Sequence, residues 1–145
     1  MKSLFIVLIS YFLIAMSSCS NNDDVDNSSA CSEPIPCTFV LISFHVSVND
    51  ANGSAVKLDS FEVYDTKNNK NLTIDYSAER LKLMQNTNSY FLFGDQWLKE
   101  YNGRTSIIRF RGFQNSKKIV SADFEVGTDC CHVTLLSGNT ELIVN

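Results

Sequence analysis

The sequence predicts an all-β fold, a single antiparallel β-sandwich of seven or eight strands. Three observations lead there. Short stretches alternate between apolar and polar residues, turn residues separate them at regular spacing, and no helical pattern is long enough to serve as a crossover between parallel strands. The folded unit is expected over 37–145, as one domain with enough chain to bury a core.

The first strand is expected within Thr38 to Asn49, where Val40, Ile42, Phe44, Val46 and Val48 share one face and Ser43, His45, Ser47 and Asn49 the other. Asp50-Ala51-Asn52-Gly53 supplies turn residues. A second strand runs from Ala55 to Asp65, and its change of phase between Leu58 and Phe61 predicts a bulge or bend near Asp59-Ser60. After the Asn68-Asn69 turn, Leu72 to Tyr76 forms a short third strand. Ser77 to Gln85 holds one helical turn with Leu81 and Met84 inward, and Ser89 to Phe93 is an aromatic-rich strand. Asp95 is placed to cap a helical turn through Trp97, Leu98 and Tyr101, ended by Asn102-Gly103.

The remainder is more regular. Thr105 to Phe113 carries Ile108 and Phe110 inward with Arg109 and Arg111 outward, and Asn115-Ser116-Lys117 turns the chain. Val120, Ala122, Phe124 and Val126 alternate with Ser121, Asp123 and Glu125. Asp123 and Glu125 are expected to pair across with Arg109 and Arg111. Cys130 to Leu136 and Glu141 to Val144 complete the set.

The N-terminus reads as an address. Met1-Lys2-Ser3 precedes an apolar run from Leu4 to Met16 broken only by Ser10, too short to span a bilayer core of about 30 Å and suited to a secretory signal. Ala15-Met16-Ser17-Ser18-Cys19 resembles the lipobox of bacterial lipoproteins. That resemblance implies residues 1–18 as a signal peptide, fatty acylation (palmitate or its like) of Cys19, and cleavage after Ser18. Removal of Lys2 takes the formal charge from −4 to −5, a modest acidic balance that gives no reason to expect nucleic acid as a partner. Residues 19–36 are the lipidated cysteine and a flexible tether. Its polar stretch from Ser20 to Ala30 carries acids and no Lys or Arg. Acids directly after a lipidated cysteine also resemble the surface-export signal of some Gram-negative lipoproteins. The expected location is therefore the outer membrane of a Gram-negative bacterium, at its surface or periplasmic face.

The stretch "VSVNDANGSAVKLDSFEVYD" (46–65) resembles the opening hairpin of prealbumin-like and carboxypeptidase-regulatory-like β-sandwich modules. The stretch "IVSADFEVGTDCCHVTLLSGNTELIV" (119–144) is similar to the ends of small uncharacterised bacterial lipoproteins associated with that module. The resemblance implies a prealbumin-like or Ig-like sandwich and no activity. Prealbumin-like hydrolases use a histidine-rich site and a C-terminal Tyr-Arg-Gly-Ser, where this sequence has Leu142-Ile143-Val144-Asn145.

With Cys19 acylated, Cys31, Cys37, Cys130 and Cys131 remain, an even number that in an exported chain implies disulfides. A Cys130–Cys131 bond would need a strained vicinal ring, so each upstream cysteine is expected to join one of the adjacent pair. On the expected strand, parity puts Cys131 on the Val133 and Leu135 face and Cys130 with His132 and Thr134, and Cys37 shares the outer parity of Ser43 and His45, which favours Cys37–Cys130 and Cys31–Cys131. The alternative is zinc or copper held by these thiols with His132 and His45. Adjacent strand cysteines diverge, however, and Cys31 and Cys37 are too far apart for the short ligand pair of a zinc site. No Cys-x-x-Cys precedes a helix, which argues against a redox centre.

His45 and His132 are the only histidines, and neither has a paired nucleophile in the sequence pattern, so no catalytic residues and no cofactor are assigned. Trp97 and Tyr101, near a loop and close to Tyr90, Phe91 and Phe93, are the ligand-binding candidates, with capping of the core as the alternative use. Two functions follow. One is a lipid-anchored envelope lipoprotein acting as a non-enzymatic binding or assembly module for a protein or glycan. The other is a small envelope metal-binding protein or enzyme centred on His132 and the cysteines.

Overall fold

The computed structural model describes residues 36–144, so the signal peptide, Cys19, Cys31 and most of the tether lie outside the described residues. Among those described, the chain is mostly β: β1 (Ser43–Asp50), β2 (Ser60–Asp65), β3 (Lys70–Asn71), β4 (Tyr90–Gly94), β5 (Thr105–Gln114), β6 (Lys117–Thr128), β7 (Val133–Ser137) and β8 (Glu141–Val144). They form two sheets, ordered β4-β1-β8 and β3-β2-β5-β6-β7. Every pairing is antiparallel except β1 with β8, where Ser47 to Asp50 run parallel to Glu141 to Val144. The two sheets share one core. Val46, Val48, Tyr90, Leu92, Phe93 and Leu142 of the smaller meet Phe61, Val63, Ile108, Phe110, Phe124, Val126 and Val133 of the larger.

The best-patterned segments fold as read. Ile108, Phe110, Phe124 and Val126 are buried, and the β5–β6 turn places Asn115 and Ser116 at positive φ, the twist a tight hairpin requires. Arg109 makes a two-pronged ion pair with Asp123 (2.6 and 2.7 Å). Arg111 does not pair with Glu125: the register sets it against Ser121 and Glu62, and its guanidinium reaches Glu62 at 3.8 Å and lies over the Tyr64 ring.

Elsewhere the elements shift. The helical turn expected at Ser77 becomes α1 (Ala78–Thr87), because Ser77 accepts the Arg80 N–H as an N-cap and Asn88, at φ 47°, closes the other end. Met84 is buried and Leu81 packs against the core, as the spacing predicts. The third strand is not at Leu72 to Tyr76 as expected: it is Lys70–Asn71, and 72–76 is not strand, the Thr73 hydroxyl taking the Val63 N–H in place of a ladder partner. Strand β2 begins only at Ser60. Before it, the Leu58 N–H is satisfied by the Tyr90 hydroxyl (2.9 Å) rather than by a neighbouring strand, which lets Leu58 bury completely. Gly138, at φ +114°, carries the chain from β7 toward β8 where a Cβ would lie 2.5 Å from the Phe124 ring.

The largest departure is at the entry. Val40 was expected to begin the inward face of the first strand, but β1 starts at Ser43, and Phe39, Val40 and Leu41 are exposed. The cause lies in side chains remote in sequence.

Candidate functional site

Asp95 follows β4 and opens a single 3-10 turn (Asp95–Trp97) that continues into α2 (Leu98–Tyr101). The expected helix cap is not what its side chain does. Oδ2 accepts the Ile42 N–H (2.8 Å) and lies 2.9 Å from His132 Nδ1, while Oδ1 accepts the Val133 N–H (2.9 Å). Its own N–H donates to the Ile42 carbonyl (3.0 Å). The carboxylate thus ties the run into β1 to the start of β7. Gly94 lets the two backbones approach, since a Cβ there would sit 3.1 Å from the Ile42 oxygen and 3.2 Å from Ser43 Cβ.

The Asp95 side chain is only 7 % exposed. Burial by itself would raise its pKa, but the N–H groups of Ile42 and Val133 and the His132 imidazole hold it below the ordinary carboxylate value. Against a carboxylate, Nδ1 of His132 must be the donor. Nε2 is then the acceptor in the neutral ring, and it lies 2.8 Å from the Thr38 hydroxyl. The order Thr38–His132–Asp95 is therefore a continuous hydrogen-bonded chain, and both imidazole nitrogens are engaged.

Asp129 shapes the other wall. Its Oδ1 accepts the N–H groups of Cys131 and His132, both at 2.7 Å, and its own N–H donates to the His132 carbonyl (3.0 Å). Residues 129–132 are accordingly a turn capped by an aspartate, and β7 begins only at Val133. Strand parity does not apply to Cys130 and Cys131, which overturns the expected pairing. Cys37 is bonded to Cys131, not Cys130, with Cα atoms 5.2 Å apart. Cys131 is consequently not available to Cys31, which lies outside the described residues; Cys130 is disulfide-bonded as well.

Three fasteners now meet at one end of the domain: the Cys37–Cys131 bond, Thr38 on His132, and Ile42 on Asp95. Between them Phe39, Val40 and Leu41 form an arch. Sequence patterns missed Asp95 and Thr38 because each works on a residue dozens of positions away. The Asp129-x-x-His132 spacing before a strand was the only local signal.

The other candidates fall elsewhere. His45 is on β1 with its ring edge-on to Phe91 (5.6 Å), a contact unrelated to the His132 cluster. Tyr101 is buried and donates to Asp65 (2.7 Å), so it is a core residue and not a loop ring open to a ligand. Trp97 is half-buried with Lys70 5.0 Å above its ring, and its buried indole N–H has no partner among the described residues. Among those residues no three His, Cys, Asp or Glu side chains are grouped as metal ligands. An open groove of about 310 Å³ lies beside the cluster, lined by Arg104, Gly127, Asp129 and Leu136 among others. No family model, curated protein or solved structure matches the chain.

Proposed function

We propose that the protein is a lipid-anchored lipoprotein of the Gram-negative outer membrane, a non-enzymatic binding or assembly module for an envelope protein or glycan. We also assign the two sheets to a β-sandwich of the prealbumin-like or Ig-like type. The shared core and the predominance of antiparallel pairing support that assignment. One observation carries the functional reading: the groups with the most chemical potential are spent on construction. Asp95, His132 and Asp129 place their hydrogen bonds on the residues that fix the entry of the chain, and Cys37 and Cys131 are bonded to each other. A stiff root at the point where a tether enters suits a domain that presents its remaining surface to a partner.

The anchor is tested directly. Cys19→Ala should abolish incorporation of an alkyne-tagged palmitate and move the protein from the detergent-rich to the aqueous phase on detergent phase separation. Labelling of Cys19→Ala at the wild-type level would refute the anchor.

A second reading is favoured by the Thr38–His132–Asp95 order, which has the relative placement of nucleophile, base and orienting acid used in covalent catalysis. Under the binding reading, hydrolysis of short acyl esters by wild type, Thr38→Val and His132→Gln should be indistinguishable from buffer. Turnover by wild type that falls about 100-fold or more in both variants would establish the enzyme instead.

A further inference from the structure

We propose that the arch Phe39–Val40–Leu41 is a lipid-contacting foot that enters the interfacial layer of the membrane holding the Cys19 anchor. The proposal rests on the anchored reading above and adds a surface and a partner to it. The three residues are 105 %, 62 % and 85 % exposed, and they are consecutive. They are not a frayed end. Cys37 and Thr38 pin one side of the arch through Cys131 and His132, and Ile42 pins the other by two hydrogen bonds with Asp95. From Pro34 to Phe44 no residue carries a formal charge. The fold therefore holds an uncharged apolar loop outward, although the neighbouring Ile42 and Phe44 pack against the core.

The position of the arch selects the occupant. The described chain begins at Pro36, immediately before the arch, and only residues 20–36 separate the domain from Cys19. Even fully extended, residues 20–36 reach no more than about 60 Å, so the foot stays within reach of the surface in which the acyl chains sit. Three apolar side chains are far fewer than the 20–30 residues a side of a standard protein interface. They suffice where an anchor already supplies an effective concentration in about the millimolar range. The tether between them carries Asp23, Asp24, Asp26 and Glu33 and no Lys or Arg, which keeps it off an anionic headgroup layer and leaves the contact to the arch.

The test uses the full chain, acylated in a bacterial host and reconstituted into vesicles of phosphatidylethanolamine and phosphatidylglycerol, some with bromine on the acyl chains. Phe39→Trp adds an indole to a chain whose sole tryptophan is Trp97. Brominated lipid should quench the added emission by about twofold or more, leave wild-type emission unchanged, and lose its effect when Val40→Ser and Leu41→Ser are added. None of these positions lies in the core, so all the variants should fold. Quenching no greater than wild type overturns the foot. So does a spectral change that tracks protein concentration at fixed lipid, which would assign the arch to a second copy. Intact mass separates the two proposals. An unacylated product removes the anchored reading and the foot together, whereas an acylated but unquenched product removes the foot alone.

Discussion

Reduction of the disulfides should lower the stability of the domain by about 4–5 kcal/mol, the largest effect expected from any single treatment. Cys37 and Cys131 are 94 positions apart, so their bond closes nearly the whole folded chain, and loop-closure entropy grows with the length enclosed. For a domain of this size the loss corresponds to a fall in melting temperature on the order of 20 °C. Thermal unfolding followed with and without dithiothreitol measures it. The paired variant Cys37→Ser/Cys131→Ser, kept oxidised, should lose less than the reduced wild type, because the bond at Cys130 remains. An unchanged midpoint under full reduction would show that the clasp of Asp95 and His132 fixes the entry without help from sulfur. Hydrogen exchange gives an independent view: the Ile42 amide, bonded to Asp95, should lose protection in the paired variant before the amides of β5 and β6 do.

That contrast between entry and core also explains how far the sequence could be read. Strands β5, β6 and β8 were legible because each buries one face, and a period of two in hydrophobicity is a local property. The inward Leu81 and Met84 and the turn at Asn115-Ser116 were legible for the same reason, since helical spacing and tight turns act within a few residues. The start of β1 was not. Val40 has the composition and parity of a core strand residue, yet Cys131, His132 and Asp95 draw the chain away from the sheet before Ile42. At Cys130 and Cys131 the one local signal is Asp129, whose side chain folds them into a turn; strand parity does not hold inside that turn, so parity points to the wrong sulfur. Asp95 was read as a cap, the commonest use of an aspartate before a helical turn, because its partners are 53, 37 and 38 positions away. The candidate site is therefore the least legible part of the molecule, being assembled by long-range polar contacts that carry no periodicity.

Asp65→Ala should cost about 3–5 kcal/mol, the largest effect of any single substitution, and the loss should depend on pH. Asp65 ends β2, is 0 % exposed, and has no cation beside it among its hydrogen-bond partners. Five donors surround the carboxylate. Oδ1 accepts from the Ser106 hydroxyl (2.8 Å) and the N–H groups of Lys67 (2.9 Å) and Asn68 (3.2 Å), and Oδ2 from Tyr101 (2.7 Å) and the Asn68 amide (2.6 Å). It thereby joins the β2–β3 turn to β5 and α2. Burial pushes its pKa up, but the hydrogen bonds from Tyr101, Asn68 and Ser106 outweigh burial and leave it below the ordinary carboxylate value. The same pairing, added to burial, raises the Tyr101 phenol and keeps it a donor at any physiological pH. Because the folded value is depressed, the contribution is fully present above the unfolded pKa of about 3.9 and is lost as pH falls through the folded value. Denaturant titrations of wild type and Asp65→Ala should therefore differ most at neutral pH and converge on acidification below about pH 4. Tyr101→Phe should lose about 1.5–3 kcal/mol at neutral pH, one charge-assisted bond's share. A gap between wild type and Asp65→Ala that persists undiminished in acid would assign the loss to the cavity and not to the ionised carboxylate.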